Sequence, residues 1–222
     1  MTVSLTAADG VGAVGIVIAS SSPAVASRCS HLRAGVGASA SQNVTNPALG
    51  DAVLDALARG AAPPDALDEA LATDAHADVR QVTAVGVDGR VAVRSGSRAL
   101  GVHGEHVGDA CVAAGNLLAR AEVLPAMVAG FEAAEGALEQ RLLAALEAAA
   151  AAGGEAGPLR SAGLAVVEGV PWRTTDLRVD DHDDPVGELA RLVALWLPQK
   201  ADYLQRALQP DAAPSYGVPG DA

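Results

Sequence analysis

Aromatic side chains are scarce in this 222-residue chain: they make up 2% of a composition that is 50% hydrophobic. A core with so few rings must come from many Ala, Val and Leu contacts, which favours tight, flat packing of sheets and helices. Cysteine is as rare. Cys29 and Cys111 lie far apart with no CxxC, so neither a disulfide framework nor a zinc knuckle is indicated. Nothing nearby in sequence would lower their pKa, and both read as small core hydrophobes rather than nucleophiles. Positive charge is also short, with 15 Lys and Arg against 27 Asp and Glu, a net charge of −12, and no basic stripe. Such a chain repels a phosphate backbone, which excludes nucleic acid as a partner. No apolar run reaches the ~20 residues needed to cross a bilayer. The opening MTVSLTAADG has no basic n-region, so it reads as neither a signal nor a transit peptide. A cytoplasmic protein with no membrane partner is expected.

What is present is a series of short strands interrupted by paired helices. Residues 2–6 alternate, a turn follows, and 13–20 is rich in Val and Ile, which reads as a hairpin starting at the second residue. A Ser-rich loop and an irregular stretch with Arg28, Cys29, His31 and Arg33 precede a third strand over 35–42, whose small residues allow close backbone approach. Helical spacing marks 48–59 and 65–73. Strands return at 80–87 and 90–95 around Asp88-Gly89, a hairpin signal, and at 111–114, ending in Gly115-Asn116. Alanine-rich helices at 123–134 and 137–152 are followed by strands at 161–168 and 177–180. A last helix over 185–197 has Asp184 as N-cap and Pro185 at its first position. The tail, 198–222, is Pro-rich and is expected to be largely disordered. Sheets covered by paired helices, with little βαβ alternation, argue for an α+β layered fold over residues 1–197.

Thr2 is the most informative residue for chemistry. Methionine aminopeptidases remove Met1 before a small second residue, which would leave a threonine carrying both a hydroxyl and a free α-amine. That amine titrates near pKa ~8 and can accept the hydroxyl proton, so one residue supplies nucleophile and base. The bland reading is an ordinary first strand with a fraying end.

The order MTVSLTAADGVGAVGIVIAS, RAGVGASASQ, NPALG, RQVTAVGVDGRVA, GNLL, AGGE and DLRVDDHDDP resembles the DUF1028 family, placed in the N-terminal nucleophile (Ntn) hydrolase superfamily. The resemblance covers residues 2–197 and is strongest over 176–185. It implies a four-layer αββα sandwich, two antiparallel sheets between helical layers. For function it implies hydrolysis of an amide bond in a small-molecule substrate with Thr2 as nucleophile. The chain departs from the family's Gly-Gly-Asp run, carrying Gly153-Gly154-Glu155.

Several other residues are candidates beside Thr2. Gly115 and Asn116 could supply close backbone approach and an oxyanion donor, against a plain turn in which Asn is left-handed. Arg33 and Gln42 flank the third strand, which lies near the nucleophile in this superfamily. Arg33 could bind a substrate carboxylate or act on the amine, against an ordinary surface ion pair. Asp176, Arg178, Asp180, Asp181 and His182 are read as structural or site-supporting, and the run 180–184 as structural rather than metal-binding, because adjacent loop residues seldom all point at one ion. His103, Glu105 and His106 fall in a Gly-rich segment read as an exposed loop. The scheme calls for no metal and no cofactor. A homo-oligomer is compatible with flat Ala- and Leu-rich helical layers. The competing hypothesis is a binding or assembly protein that keeps the fold without a working site. A metal-dependent hydrolase using the acidic loop is the third.

Overall fold

In a computed structural model that describes residues 2–218, the first hairpin forms as expected. Strand β1 (Thr2–Ala8) and strand β2 (Val14–Ser20) pair antiparallel. Their turn is tied by the Asp9 carboxylate, which accepts from the backbone N–H groups of Val11, Gly12 and Ala13. Every residue of both strands is buried, as befits the middle of a sheet covered on two faces.

The rest of that sheet arrives from far along the chain. Strand β8 (Cys111–Asn116) pairs with β1, and β7 (Gly104–Gly108) pairs with β8; β9 (Ser161–Val167) pairs with β2, and β10 (Arg173–Val179) with β9. All pairs are antiparallel, giving the order β10-β9-β2-β1-β8-β7. A second antiparallel sheet runs β3 (Ser30–Arg33), β4 (Gly37–Asn43), β5 (Arg80–Gly86), β6 (Val91–Ser95).

The helices sort by the sheet they cover. Helices α4 (Val123–Ala133) and α5 (Leu138–Ala151), with the first part of α6 (Pro185–Leu208), pack Met127, Phe131, Leu142, Leu146 and Leu189 onto Val3, Leu5, Val17 and Leu164. Helices α2 (Ala48–Ala58) and α3 (Pro63–Ala72) set Leu49, Val53 and Leu67 on Val82 and Ala84 of the other sheet. Helix α1 (Val25–Cys29) rests on Ile18. The result is helices, sheet, sheet, helices, the expected α+β sandwich of two antiparallel sheets. Between the sheets Ala40 lies against Ile16 and Ala165, and at Gly37 an added Cβ would run into the Val85 carbonyl of the neighbouring strand β5 and crowd Leu57 of α2.

Four local expectations differ from the structure. The irregular stretch before the third strand is α1 followed by β3, and the Gly-rich segment around His106 is the edge strand β7 rather than a loop. Strand β10 starts at Arg173 instead of 177, pairing with β9 along its length with a bulge between Arg173 and Thr175. Helix α6 runs through Pro198 to Leu208, so residues 198–208 are ordered helix, not disordered tail. Beyond it Arg206 stacks on Tyr203 and Tyr216 and donates to the carbonyls of Pro214 and Ser215. Residues 219–222 of the expected tail lie outside the described residues. Among the described residues no helix is long and apolar enough to cross a membrane.

Candidate functional site

Thr2 begins the central strand of the six-stranded sheet and is 4% exposed. It sits opposite Asn116 of β8, and on its other side β2 ends at Ser20, one residue past the Val3 and Ala19 pair. Strand alternation puts Thr2, Ser4 and Thr6 on one face. That face meets the second sheet, because Ser4 Oγ donates to Gln42 Oε1 (2.7 Å) and the hydroxyls of Thr6 and Thr83 lie 3.0 Å apart. The sandwich is therefore polar inside at the Thr2 end. At the far end it is apolar, with Ala8, Val14, Ala38, Val85, Val112 and Val167.

The polar end is organised by one residue. Gln81 Oε1 accepts from Gln42 Nε2 (2.8 Å) and from Asn116 Nδ2 (3.2 Å), while Gln81 Nε2 donates towards the Gly115 carbonyl, the Gly104 carbonyl and Ser95 Oγ. Ser4, Gln42, Gln81 and Asn116 are all fully buried. A network so placed fixes the register of the two sheets only while each member stays satisfied. Gln81→Ala is expected to cost about 3 kcal/mol, because it orphans two buried amides and a carbonyl together. Urea unfolding measures this, and a loss under about 1 kcal/mol would mean that the partners re-pair without Gln81.

Gly115 and Asn116 lie within β8 rather than in a turn after it. Gly115 pairs with Val3 on one side and Gly104 on the other, and an added Cβ would meet Leu118 at 2.7 Å. Its glycine is explained by packing. Asn116 uses one Nδ2 hydrogen on Gln81, and its buried Oδ1 accepts no hydrogen bond from the described residues. The next residue, Leu117, has φ of 51°, a strained value for a bulky side chain. Its N–H donates to the Leu100 carbonyl, which holds the strand exit in place.

A further residue at this end carries a buried carboxyl. Glu155 is 5% exposed; its Oε2 accepts from the Ser21 N–H (3.1 Å), and its Oε1 has no partner among the described residues. Burial pushes its pKa up to about 7, against the lowering effect of the Ser21 hydrogen bond. Positive φ at Gly153 and Gly154 turns the chain out of α5 so that Glu155 can bridge to Leu118. Sequence reasoning missed Gln81 and gave Glu155 no role. The double glycine before an acid was the only available signal.

The other candidates lie elsewhere. Arg33 is at the opposite end of the sandwich, paired with Asp55 of α2 at 2.8 Å. There it lines a 660 Å³ cleft with Asp9 and Val170. Gln42 is brought towards Thr2, through Ser4. On β10, burial alone would raise the Asp176 carboxyl, but Arg178 and Arg173 outweigh it and hold it below the usual carboxylate range. The Asp180 carbonyl accepts from the Ala24 N–H. Asp181 and Asp183 pair with Arg160, His182 Nδ1 accepts from the Asp184 N–H, and Asp184 Oδ1 caps α6 through the Gly187 N–H. This acidic run thus ties loop to strand and helix. Among the described residues no three His, Cys, Asp or Glu gather where a metal ion could be held. His103 Nδ1 donates to the Gly101 carbonyl, and Glu105 accepts from Ser95. Both thiols are buried, and burial raises their pKa, that of Cys111 to about 12.

Fold and site together define an α+β sandwich whose central strand starts at a threonine beside a buried polar network. Residues 2–189 match the model of DUF1028, described as a family of unknown function, and the chain belongs to that family. It is similar to protein SPO2555 from Silicibacter pomeroyi, whose crystal structure is assigned to the same family, with 32% identity, a TM-score of 0.86, and coverage of 92% of this chain and 90% of that one. No curated protein matches it.

Proposed function

We propose that the protein is an Ntn-type amidohydrolase acting on a small-molecule substrate. Thr2 Oγ, after removal of Met1, attacks the amide carbonyl, and its proton passes to the Thr2 α-amine, directly or through one water. The amine hands that proton to the departing nitrogen, leaving an ester on Thr2. Water then cleaves the ester with the same amine as base. The second Nδ2 hydrogen of Asn116, the one not given to Gln81, is the candidate donor to the oxyanion. The scheme draws on no metal and no organic cofactor.

The observation that carries this reading is the position of Thr2. It begins the strand at the centre of a two-sheet sandwich, opposite Asn116 and held from both sides, where a catalytic N-terminus would be rigid. The layered fold supports the same reading, since it is the arrangement that the Ntn resemblance implied. The test is intact-protein mass spectrometry after incubation with a β-lactone, with the adduct mapped by fragmentation. A chain beginning at Thr2 and acylated there is the expected result. A chain that keeps Met1, or begins at Thr2 and stays unmodified, would favour the non-catalytic binding or assembly reading.

A further inference from the structure

We propose that Glu155 is a positioning residue for the Thr2 α-amine, a carboxylate that faces the amine across the end of β1 and sets its protonation. This rests on the Thr2 reading above. The geometry comes from the two strands on either side of β1. In the order β2-β1-β8, the chain just past β2 is Ser21 and the chain just past β8 is Leu117-Leu118. Glu155 is joined to both: its Oε2 accepts from Ser21 N–H, and its backbone bridges to Leu118, flanked by hydrogen bonds from Ala119 to Gly154 and from Ala156 to Leu117. The segment therefore spans the gap into which the N-terminal end of β1 points. It carries there a buried carboxyl oxygen, Oε1, that no described residue satisfies. A buried carboxyl left half-satisfied is costly unless a further donor reaches it, and an ammonium at the head of β1 is a donor of the right charge.

Of the other charged groups near this turn, Arg120 lies against Gly153, two residues before Glu155, and the others are engaged elsewhere. Arg160 pairs with Asp181 and Asp183, and Asp184, which shares a cavity with Glu155, caps α6. The packed face of α5 contributes Ala150, and the exit of β2 contributes the hydroxyls of Ser20 and Ser21. With Glu155 ionised, the amine is favoured as ammonium. Passing one proton from the ammonium to the carboxylate leaves a neutral amine and a neutral carboxyl, with no net charge change in the site. The raised pKa of Glu155, about 7, brings the two groups close enough in basicity to share that proton.

The test compares wild type with Glu155→Gln, each first weighed to establish that it begins at Thr2. The N-terminal amine is titrated by the pH dependence of brief acetylation with acetic anhydride, read by mass spectrometry. The chain's single lysine, Lys200, keeps that reading simple. Removing the anion is expected to lower the midpoint by about one pH unit, a tenfold gain in neutral amine below it. An unmoved midpoint in a folded variant overturns the proposal. Glu155→Asp, which draws the carboxyl back by roughly one C–C bond, ~1.5 Å, is expected to move the midpoint the same way by less. It serves in place of the Gln variant if that one does not fold, and an unmoved midpoint there is equally adverse. The midpoint reports on Glu155 and the lactone adduct on Thr2. A shifted midpoint without acylation removes only the nucleophile reading; acylation with an unshifted midpoint removes only this one. Retention of Met1 overturns both.

Discussion

Thr2→Ala is expected to lower the rate of β-lactone acylation by a factor on the order of 10⁴ or more, while Thr2→Ser stays within roughly tenfold of wild type. Alanine keeps the small second residue that permits Met1 removal and keeps the α-amine, so only the hydroxyl is lost. Ser retains it. The side chain is buried, and losing its hydroxyl is expected to cost only about 1 kcal/mol of stability, far too little to remove the folded protein. Acylation followed by intact mass, beside a thermal unfolding curve, separates the two effects. An Ala variant acylated as fast as wild type would place the reactive group elsewhere and end the mechanism. Persistence of the acylated wild-type species would show whether water or another nucleophile completes the reaction.

Lys200→Met is expected to destabilise the protein by about 3–5 kcal/mol, the largest single-residue loss of stability predicted for this chain. Lys200 Nζ lies 2.7 Å from Glu139 Oε1 and also pairs with Glu168. Glu139, in the first turn of α5, is 1% exposed and accepts a second hydrogen bond from Thr175 Oγ1, which in turn accepts from Trp196 Nε1. Taking away the lysine leaves a carboxylate buried with, among the described residues, the Thr175 hydroxyl as its only donor. Part of the loss should return in the double variant Glu139→Gln with Lys200→Met, since the amide carries no charge to strand. Urea unfolding of the four proteins gives the coupling directly. Near-additive losses would mean that the pair contributes packing rather than charge compensation.

The Lys200 pair also shows where sequence reasoning stopped. Pro198 cannot donate an N–H and its ring crowds the preceding turn, so local rules end the last helix at Leu197. The helix continues because Lys200, Trp196 and Tyr203 find partners on α5, on β10 and in the following chain. Glu139 and Thr175 are distant in sequence. Strand β7 was hidden for a related reason: its Gly-rich, polar sequence has little strand propensity, and only its pairing with β8 makes it one. Arg33 was set near the nucleophile by a family expectation, yet it heads the hairpin turn at the other end of β4, where Asp55 is its partner.

The sequence by itself determined the layers of this protein. Alternation and helical spacing are local signals, and they marked the first hairpin, the Asp88-Gly89 hairpin, both helix pairs and the Asp184 cap within a few residues of where they form. The scarcity of rings likewise announced a tightly packed core of many Ala, Val and Leu contacts. Which strands become neighbours was decided only by tertiary structure. β1 lies between β2, beside it in sequence, and β8, more than a hundred residues away. That choice brings Asn116, Gln81 and Glu155 to the end where Thr2 begins. A buried amide or carboxyl has no periodic signature, because what it needs is a partner in space, and the partner is supplied by whichever strand the sheet places alongside.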